Sequence, residues 1–145
     1  ADINIGGDNV IRYTDLNFVA IRTVNTIDAN AMTHYHLDIQ VEDEQIGPGD
    51  FIRILLLDAG PDNVIGTADD TEASVQFGSE TLVSRQWVSL DIPLAEFAGL
   101  NTGNLVLYFF ISDCTISNVL VDNISISTEN RPVPQLIKKR NEPEK

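Results

Sequence analysis

Apolar and polar residues alternate with a period of two along most of this 145-residue chain, which marks strands rather than helices. The cleanest stretch runs from Thr33 to Glu42. There Tyr35, Leu37, Ile39 and Val41 share one face, while His34, His36, Asp38 and Gln40 share the other, as alternate side chains of a strand must. Shorter segments of this kind occupy Asp2–Ile5, Val10–Tyr13, Leu16–Thr23, Ala73–Phe77 and Val119–Ser127. Trp87–Leu94 is another, stopped by Pro93, and 94–100 has room for one helical turn. Phe51–Leu57 breaks the alternation: it is apolar on both faces, which predicts a central strand. Gly103–Ser112 is likewise apolar on both faces. Residues 25–32 are small and polar enough for a connection, and Gly47-Pro48-Gly49 breaks the chain between strands,. Eight or nine strands, no long helical pattern and no internal repeat predict an all-β chain, an antiparallel β-sandwich over residues 1–128. From 129 to 145 the composition turns to Pro, Lys, Arg and Glu, which predicts an extended basic tail.

The longest interruption of the pattern is acidic. Between the Phe51–Leu57 run and the Ala73–Phe77 strand, Asp58, Asp62, Asp69, Asp70 and Glu72 fall within fifteen residues, and Gly60, Pro61 and Gly66 supply the bends. Unpaired, these carboxylates repel one another; around a hard dication they become a cage of oxygen ligands. No Cys or His lies in the loop, so calcium suits it better than zinc. The spacing is not that of a helix-loop-helix calcium loop, and a solvated acidic loop is the alternative.

Charge narrows the partners. Residues 1–130 hold 20 acidic and 4 basic side chains, a net −16, and residues 131–145 hold 2 acidic and 5 basic, a net +3, giving −13 in all. A body this acidic repels nucleic acid and anionic membrane, and attracts divalent cations and its own basic tail or a neighbour's. No apolar run reaches membrane-spanning length. Cys114 is the single cysteine, so no internal disulfide forms; its apolar surroundings predict a buried, inert thiol. The small first residue, Ala1, is compatible with a mature secreted protein or a trimmed one.

Several ordered segments carry a family resemblance. Thr33-His-Tyr-His-Leu-Asp-Ile39, the acidic loop, Trp87-Val-Ser-Leu-Asp-Ile-Pro-Leu94 and Val121-Asp-Asn-Ile124 together resemble the jelly-roll modules appended to secreted bacterial polysaccharide hydrolases, especially β-glucan-degrading ones. The resemblance spans about residues 2–127. It implies a non-catalytic, secreted, carbohydrate-binding jelly roll with structural calcium. The chain departs from that pattern in two ways. The family has a further strand-forming segment before the position of Ala1, and it lacks a basic tail like residues 131–145.

Within that frame, His34, His36 and Asp38 are candidate glycan contacts, because jelly rolls hold sugars on polar sheet faces. Transition-metal ligation and a merely solvated face are the competing readings of the three. Arg53, rare in so acidic a body, either pairs with a carboxylate or holds a sugar hydroxyl. Tyr108 is a further candidate, although tyrosines in such strands more often pack inside, and Trp87, leading a strand of core-like pattern, is expected inside. Asp122 matches a position that helps hold calcium in similar jelly rolls. No nucleophile motif or phosphate loop is present, so the chain is not read as an enzyme. The expected partners are a polysaccharide or copies of the chain itself. A missing opening strand leaves a sheet edge open, and Ala1–Ile5 or the tail, from the same chain or a neighbour, is expected to fill it. Exchange of such a segment between copies would build an oligomer or filament.

Overall fold

A computed structural model of the chain describes residues 2–5, 8–113, 115–128 and 135–138, with side chains described over 10–113 and 115–128. Cys114 lies outside the described residues. The strands are β1 (Asp2–Ile5), β2 (Asp8–Tyr13), β3 (Phe18–Ile27), β4 (His34–Val41), β5 (Ile52–Asp58), β6 (Thr71–Phe77), β7 (Trp87–Pro93), β8 (Leu105–Ser112), β9 (Val119–Ser127) and β10 (Gln135–Lys138). A single 3₁₀ turn, Leu94–Glu96, follows β7, where Pro93 ends the ladder. The period-two pattern therefore reports the class correctly: an all-β antiparallel sandwich. Its largest differences are β3, which runs on to Ile27, β2 and β6, which begin two residues early at Asp8 and Thr71, and the extra strand β10.

Six strands form one sheet in the order β1-β2-β9-β4-β7, with β10 also on β9, and four form the other in the order β3-β8-β5-β6. One edge of β9 is shared. Its Val119, Leu120 and Val121 pair with β2, and its Ile124, Ser125 and Ile126 pair with β10. Of the two segments expected at the open edge, the tail pairs with β9 through Gln135–Lys138, whereas Asp2–Ile5 pairs with β2 and is itself the outer strand of the sheet.

Alternate side chains of the two sheets meet in a core that includes Tyr35, Leu37 and Ile39 of β4, Ile54 and Leu56 of β5, and Tyr108 and Phe110 of β8. Tyr35 and Tyr108 stack across it, ring centroids 6.0 Å apart and 17° from parallel. Burial pushes both phenol pKa values up, with Tyr108 and Tyr13 adding to the effect at Tyr35. At Tyr108 the Thr23 hydroxyl opposes that rise and the Asp58 charge adds to it. These rings bind the sheets together and leave the function to the faces that point away from the core.

Candidate functional site

The outward face of β4 carries the polar half of its alternation, and its centre is Asp38. Asp38 Oδ1 accepts hydrogen bonds from Ser89 Oγ of β7 at 2.7 Å, and His36 Nε2 lies 3.0 Å from the same oxygen. Asn123 Nδ2 of β9 donates to Oδ2 at 2.8 Å. Asp91 of β7 lies 3.7 Å from His36 Nδ1, so the imidazole sits between two carboxylates. Partial burial pushes the Asp38 pKa up, but the hydrogen bonds from Asn123 and Ser89 and the neighbouring His36 outweigh it, and the net shift is downward. The group is held as a carboxylate, acceptor-only, on an accessible sheet face.

A β-bulge places Asn123. On β4 the ladder steps from His36 to Asp38, whereas on β9 it steps from Ser125 to Asp122, so β9 carries one extra residue. Asn123 takes it up with φ +51°, a left-handed conformation that Asn tolerates better than most residues. Bulges re-aim side chains, and this one turns an amide toward Asp38. Asp122, opposite Asp38 in the ladder, is buried, and its Oδ1 accepts the Asn123 backbone N–H at 2.8 Å.

Trp87 completes the face. It is 43 % exposed, which corrects the expectation that it packs inside. Val88, Leu90 and Ile92 are the inward half of β7, so Trp87, Ser89 and Asp91 are the outward half; the period-two rule applied to Trp87 gives this answer. Trp87 pairs with Gln40, one pleat repeat from the Ser89–Asp38 pair, or about 7 Å along the strand. Arg12 and Glu42 flank the site as a two-pronged ion pair, at 3.0 and 2.9 Å.

The five residues expected to contact a glycan separate onto three surfaces. His34, His36 and Asp38 share the face just described, although His34 turns to Thr33 Oγ1 at 2.8 Å. Tyr108 points inward on β8 and is 0 % exposed, so it is a core residue and cannot touch a surface ligand. Arg53 lies on the outward face of the other sheet, where its guanidinium donates to Gln76 Oε1 at 3.0 Å and stacks over the Phe51 ring at 5.1 Å. Neither partner is the expected carboxylate.

Of the five acidic-loop residues, Asp62, Asp69 and Asp70 come together, with one carboxylate oxygen from each within 4.8 Å of the others. That spacing fits oxygens 2.3–2.6 Å from one calcium ion. Among the described residues it is the one group of three or more His, Cys, Asp or Glu whose candidate ligand atoms come this close; His34, His36 and Asp38 do not form such a group. The loop folds onto its own acids. Thr67 Oγ1 donates to Asp69 Oδ1 at 2.5 Å, Gly66 N to Asp70 Oδ2 at 2.6 Å and Val64 N to Asp62 Oδ1 at 2.9 Å. The Thr67 bond is the main cause of a lowered Asp69 pKa. Asp58 stays apart: buried, it accepts from Gly60 N at 2.8 Å and Asn104 N at 2.7 Å and anchors the loop's entry. Glu72 lies on the exposed face of β6.

No protein-family model and no curated protein matches the sequence, but solved structures match the fold. A family 30 carbohydrate-binding module superposes with TM-score 0.65 and 18 % identity, covering 88 % of this chain and 71 % of that one. The family 30 module of a cellulosomal cellulase of Clostridium thermocellum gives 0.62 and 19 %, covering 88 % and 79 %. A family 11 module from Clostridium thermocellum, in complex with a β-1,3-1,4-mixed-linked tetrasaccharide, gives 0.55 and 16 %, covering 88 % and 81 %. The resemblance drawn from sequence thus holds at the level of structure: this chain has the jelly-roll fold of the carbohydrate-binding modules.

Proposed function

We propose that the protein is a non-catalytic, secreted carbohydrate-binding module that holds a neutral polysaccharide of the β-glucan class on the outward face of its six-stranded sheet. The observation that carries this is the polar cluster of Asp38, His36, Ser89 and Asn123 beside exposed Trp87. Sugar binding needs an aromatic face for the apolar side of a pyranose and fixed donors and acceptors for its hydroxyls. Here Trp87 offers the first, while the carboxylate of Asp38 and the amide of Asn123 offer the second. Both are held by the sheet before any ligand arrives, which lowers the ordering cost of binding. Asp38, Asp91 and Glu42 make the face acidic, so a neutral glycan fits it better than an anionic one. A fold shared with a module solved on a mixed-linked tetrasaccharide supports the same reading. Calcium held by Asp62, Asp69 and Asp70 would serve structure, pinning the loop that joins β5 to β6. A site of this exposure suits the high calcium of extracellular fluids. Gln135–Lys138 pairs with the β9 edge within one chain, the same contact that strand exchange between copies would make.

Calorimetric titration with mixed-linkage β-glucan tests the reading. Binding is expected, and Asp38→Ala should weaken it about ten- to a hundredfold, the range for losing a hydrogen bond to a charged group. An absence of heat with mixed-linkage and other neutral glucans, or an Asp38→Ala variant that binds like the wild type, would overturn it.

A further inference from the structure

The outward face of the four-stranded sheet takes no part in the proposed glycan site, and its chemistry is different. The ladders set its residues in rows across β3, β8, β5 and β6. The middle row is Ala20, Phe109, Leu55 and Ser74. A neighbouring row is Arg22, Leu107, Leu57 and Glu72, and the third is Phe18, which is 64 % exposed, Ile111, Arg53 and Gln76. The centre is apolar, and the two free charges stand at opposite ends of one row. Arg22 and Glu72 have no hydrogen-bond or ion-pair partner among the described residues. Three strand spacings, about 14 Å, separate them, so they cannot pair within one chain.

We propose that this face binds a second copy of the chain, sheet on sheet, about a two-fold axis running along the strands between β8 and β5. Such an axis reverses every row onto itself. Arg22 then meets the partner's Glu72, Glu72 meets the partner's Arg22, and Leu107 meets the partner's Leu57. In the middle row Ala20 and Ser74, both small, oppose each other and leave space for Phe109 and Leu55 to interdigitate. A two-fold across the strands would instead set Arg22 on the partner's Phe18 and Glu72 on the partner's Gln76, with no direct charge pair and with Arg53 facing Leu57, so the charge pattern favours the first arrangement. Self-complementarity of one patch is what a two-fold contact requires. A sugar is a poorer occupant, because Phe109, Leu55, Leu107 and Leu57 at the centre of this face offer its hydroxyls no hydrogen-bonding partner.

The contact is small. Four strands spaced about 4.8 Å apart and about six residues long present roughly 400–500 Å² per copy, below the standard interface. Association is therefore weak and reversible, with Kd on the order of 100 μM. It would matter most where copies crowd on one polymer and the second contact becomes effectively intramolecular.

Sedimentation equilibrium from about 10 μM to 1 mM in 0.15 M salt, where repulsion between the acidic bodies is screened beyond about 8 Å, is the test. The wild type should form dimers at the upper end. Arg22→Glu and Glu72→Arg should each weaken association about tenfold, since symmetry makes each substitution break two contacts. An equimolar mixture of the two should recover it as heterodimer, and so should the double swap. Both positions are exposed, so folding is preserved. A wild type that stays monomeric at 1 mM, or single variants that associate as it does, would overturn the proposal. So would loss of glucan affinity in Arg22→Glu, which would make this face the glycan surface.

Discussion

The residues of β4 that point away from the core are His34, His36, Asp38 and Gln40, whereas β8 points Leu107, Phe109 and Ile111 outward and β5 points Arg53, Leu55 and Leu57. The inward halves of these strands are alike, buried and apolar except for Asp58 at the end of β5 and Ser112 at the end of β8. Strand geometry is common to both sheets, so the contrast is chemical: one face presents a cluster of fixed hydrogen-bonding groups, the other a largely hydrocarbon surface that also carries Arg22, Arg53 and Glu72. The first suits a hydroxylated ligand and the second a surface like itself. The apolar run Phe51–Leu57 predicts a central strand, and β5 is indeed interior to its sheet, between β8 and β6. Among the described residues its inward half is buried and its outward half is half-buried.

The largest effect expected from that contrast comes from two adjacent residues of β8. Tyr108 points in and Phe109 points out, so truncating each samples opposite environments. Tyr108→Ala should cost about 3–5 kcal/mol, as for other buried aromatics, because it removes a ring stacked against Tyr35 and leaves a cavity. Phe109→Ala should cost about 1 kcal/mol at low micromolar protein, where the chain is monomeric. Urea unfolding of the two variants checks the difference. Equal costs would mean that the outward face is covered even in the monomer.

How much of this was legible beforehand differs between fold and site. Alternation is a local property, and it located nearly every strand because each strand needs one apolar side to face the other sheet. The same rule named His36 and Asp38 as face-mates. What it could not supply was cross-strand register. Ser89, Asp91 and Asn123 reach Asp38 from β7 and β9, which are distant in sequence, and Asn123 does so through a bulge that interrupts the pattern. Tyr108 and Trp87 were different failures. Trp87 has a readable parity, since Val88, Leu90 and Ile92 take the inward half of β7, whereas the segment around Tyr108 is apolar on both faces and gives none. In the acidic loop, composition showed a charge cluster, but only the fold separates Asp58, taken up by two backbone N–H groups, from the three acids that converge.

A middle-sized effect concerns that loop, which hangs from the four-stranded sheet, across the sandwich from Asp38. Gly60 has φ +74°, and a Cβ there would lie 2.5 Å from Asp69 Cγ. Gly60→Ala should therefore cost about 2–3 kcal/mol through strain and displacement of Asp69. Millimolar calcium should raise the melting temperature of the wild type over that in chelator, since a ligand specific for the native state stabilises it, and the variant should lose that rise. Glucan affinity should hardly move, because the two sites are on different sheets. Thermal melts and elemental analysis read the first result. An unchanged midpoint with no calcium bound would remove the metal from the description.

The smallest effect is a pH dependence that only the polar face should show. In the folded chain the Asp38 pKa is lowered, because the hydrogen bonds of Asn123 and Ser89 and the nearby His36 outweigh partial burial. A carboxyl group whose folded pKa lies below its unfolded value, about 3.9, binds protons more tightly once the chain unfolds. It contributes stability above that unfolded value and loses the contribution as pH falls through the folded pKa. The advantage of wild type over Asp38→Asn should therefore be constant near neutrality and shrink below about pH 4. The side chain is partly exposed, so solvent screening keeps the contribution small. On the other face Arg53→Gln supplies the control, since a guanidinium does not titrate in this range, and its difference from wild type should stay flat. Melting temperatures of the three proteins between pH 3 and 6 decide the point: parallel curves for wild type and Asp38→Asn would mean that Asn123, Ser89 and His36 do not hold the carboxylate in solution.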